Sequence, residues 1–208
     1  IFSLNRIGTN EIVEGGRSIA LGVEYENRNI EDDKIFGFAV ANSISDKKND
    51  NLPIKSRLNQ TRSDVVGNLF YSPNNIFNID YNFSLDKDLK ESNYDSVTTT
   101  LIVNNFVTSF NFLAEDFEIG NNETFSNTSK LNFDKENSIK FKTSKDLKND
   151  FTEYYNLIYS YETDCLIASA EYNKKYYKHG NLVPDKSISF FIKFIPFAEL
   201  RPSAASLN

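Results

Sequence analysis

The side chains best suited to covalent or acid–base chemistry near neutral pH are Cys165 and His179, the only residues of their types in the chain. His179 lies beside Gly180 in a polar stretch with no nucleophile or metal-ligand spacing around it. It reads as a solvent-exposed loop residue, because a general base needs a partner within hydrogen-bond reach. The carboxylates of Asp32-Asp33 and Glu115-Asp116-Glu118 could hold a hard cation such as Ca²⁺, but solvated loop charge is the preferred reading. Cys165 allows no disulfide within the chain. Two readings of it stand: a thiol bonded to something beyond these residues, or a buried reduced thiol. No catalytic role, metal or cofactor is expected. The Asn-x-Ser/Thr triplets at Asn59, Asn82, Asn122 and Asn127 are what chance produces in so Asn-rich a chain.

These residues must be carried by elements, and one stretch shows which kind. Between Ile76 and Asp86, Phe77, Ile79, Tyr81, Phe83 and Leu85 alternate with Asn78, Asp80, Asn82 and Ser84. In a strand, successive side chains point to opposite sides, so one face is greasy and the other wet. A soluble sheet has this pattern with a core on one side. A transmembrane barrel has it turned inside out, with lipid against the apolar face and water in the lumen. A length of about ten residues suits a tilted bilayer crossing, whereas soluble strands are mostly about five or six.

Composition sets limits. No run approaches the roughly eighteen apolar residues of a membrane-spanning helix. Low mean hydropathy is compatible with a barrel, in which only alternate strand residues need be apolar. Eleven Tyr and eighteen Phe suit strands and interfacial girdles. A net charge of −6 argues against a nucleic-acid partner. The chain begins at Ile1 and has no Met, which reads as a piece of a longer protein whose leader lies elsewhere.

Taken in order, residues 1–15 read as a loop entering the fold, residues 16–197 as strands and residues 198–208 as a tail. Strands are expected at about 17–25, 34–44, 63–71, 76–86, 93–103, 105–115, up to 133, 138–145, 151–162, 165–177 and 186–197. The fold class is therefore all-β: about eleven antiparallel, up-and-down strands forming the C-terminal part of a larger transmembrane barrel. Short connections are expected at 72–75, 104–105, 134–137 and 163–164, and longer ones at 45–62, 87–92, 116–123, 146–150 and 178–184. Outer-membrane barrels alternate short periplasmic turns with long outer loops. The rule puts the short set, and with it Cys165, on the periplasmic side. An odd strand count leaves at least one strand to come from upstream.

Several stretches resemble the C-terminal barrel region of the LptD (OstA) family, which assembles lipopolysaccharide in the Gram-negative outer membrane. They are Val13-Glu14-Gly15-Gly16-Arg17 leading into Leu21-Gly22-Val23-Glu24-Tyr25, then Asn51-Leu52-Pro53, then Ser63-Asp64-Val65-Val66-Gly67 with Tyr71-Ser72-Pro73-Asn74, and finally Tyr161-Glu162-Thr163-Asp164-Cys165. None is specific alone; their shared order carries the resemblance, which spans nearly the whole chain. It implies an integral outer-membrane barrel that inserts lipopolysaccharide into the outer leaflet. It also implies an LptE-type lipoprotein in the lumen and a periplasmic lipopolysaccharide-transport bridge reached through an N-terminal domain. Cys165 matches a family position that forms a disulfide with that domain, although Asp164 stands where some members carry a second cysteine.

Under this resemblance Asn78, Asp80, Asn82 and Ser84, with Ser96, Thr98 and Thr100, face the lumen, while Phe77, Ile79, Tyr81, Phe83 and Leu85 face outer-membrane lipid. The last strand, Ser187-Ile188-Ser189-Phe190-Phe191-Ile192-Lys193-Phe194, becomes one side of a lateral seam, with Ile188, Phe190, Ile192 and Phe194 toward lipid and Ser187, Ser189 and Lys193 inward. An ordinary edge strand ended by Pro196 explains the same residues. A porin- or receptor-type barrel passing solutes explains the alternation without the family.

Overall fold

A computed structural model describes residues 16–52, 57–117, 120–176, 185–195, 198–200 and 205–206. The strands are β1 (Ser18–Arg28), β2 (Lys34–Ser45), β3 (Val65–Asn74), β4 (Phe77–Leu85), β5 (Ser92–Val103), β6 (Phe106–Phe117), β7 (Gly120–Asn132), β8 (Asn137–Asp146), β9 (Phe151–Glu162), β10 (Leu166–Lys175), β11 (Asp185–Phe194), β12 (Ala198–Leu200) and β13 (Ala205–Ser206). Strand order in the sheet follows chain order from β1 to β12, while β13 also pairs with β11. Eleven long antiparallel strands thus run up and down in one sheet, which does not close on itself. Among the described residues there is no helix.

Register explains why these sequences choose this ladder. In β1 and β2, Val23 stands opposite Val40 and Tyr25 opposite Phe38, while Gly22 faces Ala41 and Glu24 faces Ala39. In β9 and β10, Leu157 stands opposite Tyr172 and Tyr159 opposite Ala170. A slip of one residue would turn every apolar side chain to the wet face, so the alternation itself fixes the pairing.

The chain divides into two compact units: residues 1–74, 78–97 and 113–122, and residues 75–77, 98–112 and 123–208. In the first unit, Tyr25, Phe36 and Phe38 form an aromatic group with ring centroids 5.9–6.2 Å apart. The segment after β2 folds back on it: Ser45 N–H donates to Thr61 O, Asn49 N–H to Asn59 O and Ser63 N–H to Ser43 O. In the second unit, the tight turns are joined laterally by Ile102 N–H to Ile76 O, Asn132 N–H to Asn105 O, Glu162 N–H to Glu136 O and Ile195 N–H to Cys165 O. Asn104 takes φ 53° in the two-residue turn between β5 and β6, a conformation Asn tolerates.

Neither unit has an apolar core of the usual kind. Among the described residues, Ala41 and Leu52 are the only buried apolar side chains, and no large side chain is fully buried. Ile19, Leu21 and Val23 are 58–64% exposed. Six polar residues are buried instead: Ser43, Ser63, Asp64, Thr108, Ser144 and Asn156. A water-soluble domain has the opposite pattern, with Ile, Leu, Val and Phe as its usual buried residues.

Four sequence expectations are corrected. The loop expected at 116–123 is mostly strand, since β6 runs to Phe117 and β7 starts at Gly120. Asp116 and Glu123 resemble loop but are exposed positions near the end of β6 and the start of β7. The turn at 72–75 moves to Asn75-Ile76, because β3 continues through Pro73. The β2–β3 ladder ends at Phe36↔Tyr71, so the missing N–H of Pro73 forfeits no bond on that side. The last long strand stops at Phe194 instead of 197. The tail at 198–208 contributes β12 and β13, both on β11. The entry loop at 1–15, Pro53, Glu118, His179, the 178–184 connection and Pro196 lie outside the described residues.

One close approach tests this packing. A Cβ at Gly67 would stand 2.5 Å from Cζ of Phe83 and 2.7 Å from the Ala39 carbonyl oxygen. Gly67→Ala is expected to cost about 1–3 kcal/mol, the usual range for overpacking. The loss should appear as a lower urea midpoint for unfolding in detergent, and an unchanged midpoint would contradict the ring's seat over this glycine.

Candidate functional site

The candidate site is the wet face of the sheet. On β4 the alternation puts Asn78, Asp80, Asn82 and Ser84 on one side and Phe77, Ile79, Tyr81, Phe83 and Leu85 on the other, and the apolar row is half-buried and not enclosed. Asn82 donates to Asp80 at 2.5 Å, and Ser84 Oγ donates to Asp64 Oδ2 at 3.1 Å.

Asp64 centres the first unit's polar cluster. Its carboxylate also accepts from Asn93 Nδ2 at 2.7 Å, and Arg57 Nε stands 3.9 Å away. Ser63 Oγ accepts from Ser43 N–H at 2.8 Å and donates to Asp64 O at 2.9 Å. A buried carboxylate is tolerable when its lone pairs are met by donors and a cation. Sequence reading missed this role, taking Ser63-Asp64 as the start of a strand. The signal was present only as a family-like stretch, because the donors come from Asn93 and from Arg57 at φ 53°.

The second unit repeats the pattern with smaller groups. Asn111 donates to Thr98 Oγ1 at 2.8 Å and Thr100 donates to Ser109 at 3.2 Å. Ser144 donates to Glu153, and Asn156 Nδ2 donates to Glu171. These pairings hold hydroxyl and amide groups across neighbouring strands, so the face is polar yet internally hydrogen-bonded.

The apolar face has polar exceptions, and several of them are paired. In the first unit Tyr81 donates to Asp95 at 2.6 Å. In the second, Thr108 and Ser129 share a hydrogen bond of 2.8 Å, and Asn127 donates to Thr108 at 2.9 Å. Phe110 and Phe125, two residues along the same strands, stack at 6.0 Å. Self-satisfied groups of this kind can face a non-aqueous medium without the cost of an unmet donor.

Cys165 is exposed, so the buried-thiol reading falls. It sits between β9 and β10, where Thr163 N–H donates to Leu166 O at 2.8 Å and Leu166 N–H donates to Thr163 Oγ1 at 3.2 Å. In the turn between β7 and β8, the Asn137 side chain and the Glu136 and Asn137 amides hold the Asp134 carboxyl below its ordinary 3.8. Of the carboxylate pairs, Asp33 accepts from Asn29, and Arg28 Nη1 lies 3.4 Å from Asp32. Glu115 and Asp116 are consecutive on β6 and point to opposite faces. Among the described residues no three potential ligands cluster for a metal.

On β11 the register sets Ile188, Phe190, Ile192 and Phe194 opposite Tyr172, Ala170, Ala168 and Leu166, with Ser187, Ser189 and Lys193 on the other side. Phe191, opposite Ser169, is the aromatic residue on that wet side. The outer edge of β11 is partly occupied, by β12 at Ile192–Phe194 and by β13 at Ser187–Ile188. Compared with models of known families and with curated proteins, the chain matches none.

Asp64→Ala should destabilise the fold by about 1–3 kcal/mol, the cost of stranding buried donors. Asp64→Asn, which keeps one acceptor, should cost less. Urea melts of the two variants check this, and equal midpoints for both variants and the parent would show that the cluster contributes nothing.

Proposed function

We propose that these strands are the C-terminal part of an outer-membrane β-barrel of a Gram-negative cell, and that the barrel inserts lipopolysaccharide into the outer leaflet. Support for the membrane part is the apolar face, which no other layer among the described residues covers. The observation that carries the lipopolysaccharide part is Cys165, an exposed thiol in the family-like stretch Tyr161-Glu162-Thr163-Asp164-Cys165.

Lipopolysaccharide poses a two-solvent problem. A sugar head needs water and acyl chains must avoid it, so a conduit needs a wet interior and a wall that can part sideways. Ser, Thr and Asn groups on the wet face offer hydrogen bonds to sugars while carrying little charge of their own. Ser187–Phe194 supplies one side of the seam, and β12 and β13 must leave its edge when the seam opens. Lipid does not tolerate an open sheet edge, so in this reading further strands complete the ladder beyond β1. An LptE-type lipoprotein in the lumen and a periplasmic bridge are the partners it calls for. Nothing in it requires catalysis, a metal or a cofactor.

On non-reducing electrophoresis, the full-length protein is expected to change mobility on reduction, and Cys165→Ser should abolish the change. Unchanged mobility overturns the assignment. Depletion separates it from the solute-passage alternative: surface lipopolysaccharide should fall. A drop in small-solute uptake with surface lipopolysaccharide intact would instead identify a porin-type barrel.

A further inference from the structure

The wet face of the second unit carries an uncompensated cationic group. Lys130 on β7 and Lys140 on β8 are direct cross-strand partners, and Lys142 follows Lys140 by two residues on the same side. Like charges set opposite each other destabilise a sheet. Neighbouring strands lie about 4.8 Å apart, so the three ammonium groups can converge on one small ligand. Among the described residues no carboxylate lies within ion-pair distance of any of the three. Glu153 and Glu171 are engaged elsewhere, accepting from Ser144 and from Asn156. A chain of net charge −6 has carboxylates to spare, yet none is set here.

A second observation lies beside it. Lys142 is the cross-strand partner of Asn156, and Asn156 is in turn the partner of Asn173. Asn156 is only 7% exposed, and the Oδ1 atoms of both asparagines are buried without a hydrogen-bond partner among the described residues. Unmet buried acceptors cost free energy unless a donor arrives. The row therefore offers cations for an anion and, one and two strands further on, acceptors for hydroxyl groups.

We infer that Lys130, Lys140 and Lys142, with Asn156 and Asn173, form a binding site for a phosphate-bearing, hydroxyl-rich molecule such as a sugar phosphate. The ammonium groups hold the phosphate oxygens by charge-assisted hydrogen bonds. The two amide oxygens accept from the adjacent hydroxyls and orient the ring. This deepens the reading above and rests on its assignment of this face to water, but the site can be tested without any transport.

The test is calorimetric titration of the full-length protein in detergent with glucose 1-phosphate, glucose and inorganic phosphate. Glucose 1-phosphate should bind at least tenfold more tightly than either other probe, and more weakly as salt rises. The triple variant K130Q/K140Q/K142Q should lose at least tenfold in affinity while keeping its circular dichroism, because removing mutual repulsion does not threaten the sheet. Lys193→Gln, on the same face of β11, should change nothing. Asn156→Leu should bring glucose 1-phosphate down to the affinity of inorganic phosphate. Micelles of phosphatidylinositol 4-phosphate identify the source: binding tenfold tighter than glucose 1-phosphate assigns a lipid headgroup, and weaker binding assigns a free sugar phosphate. No saturable binding by the parent, or equal affinity in a well-folded triple variant, overturns the site. If the site binds but depletion leaves surface lipopolysaccharide unchanged, the transport reading fails and the site remains.

Discussion

The strands set one constraint on everything else: a two-residue period gathers the large apolar side chains on one face, and the described residues supply nothing to cover them. Each buried aliphatic or aromatic side chain is worth roughly 1.5–3 kcal/mol, yet among the described residues the only buried apolar side chains are Ala41 and Leu52. The apolar row from Ile19 to Tyr25 and the row of Phe190, Ile192 and Phe194 remain substantially exposed. Such surface needs a non-aqueous neighbour. We propose a bilayer as that neighbour, because its thickness suits ten-residue alternating strands, and the functional reading follows from that choice.

The wet face answers the complementary problem. Its groups are small and mostly neutral, and they are held to one another across strands, as in Asn111 to Thr98 and Thr100 to Ser109. Where charge is buried, as at Asp64, it is surrounded by donors. On the other face Thr108, Asn127 and Ser129 are bonded to one another, which lets them sit beside the stacked Phe110 and Phe125. Lys130, Lys140 and Lys142 depart from this pattern, and their lack of carboxylate partners among the described residues distinguishes them from Lys34, which pairs with Glu26 at 2.9 Å, and from Lys145, which pairs with Asp150 at 2.6 Å.

Strand existence was legible in the sequence because apolar alternation reveals it. The second strand and the ninth were placed within a residue of their observed limits at Lys34–Ser45 and Phe151–Glu162. Boundaries failed where local composition misleads. Charged Glu115 and Asp116 resemble loop but lie on β6, and Pro73 resembles a turn but extends β3 past the end of its ladder with β2. The polar clusters were illegible for a different reason. Asp64 receives Asn93 from 29 residues away, and Asn156 stands beside Lys142 only through the β8–β9 register. Such juxtapositions depend on pairing between strands and leave no local trace. Asp95 was hidden by parity, since the wet positions Thr98 and Thr100 put it on the apolar side, where only Tyr81 makes it tolerable.

The central claim is that the apolar face touches hydrocarbon. The chain has no Trp, so single Trp reporters can be introduced without background from these strands, any Trp elsewhere in the full-length protein being replaced by Phe, and the protein reconstituted into vesicles of brominated phosphatidylcholine. The account predicts strong bromine quenching for Ile79→Trp and Phe190→Trp, and little for Asp80→Trp and Ser189→Trp. Weak quenching at all four positions, or equal quenching on both faces, would contradict it.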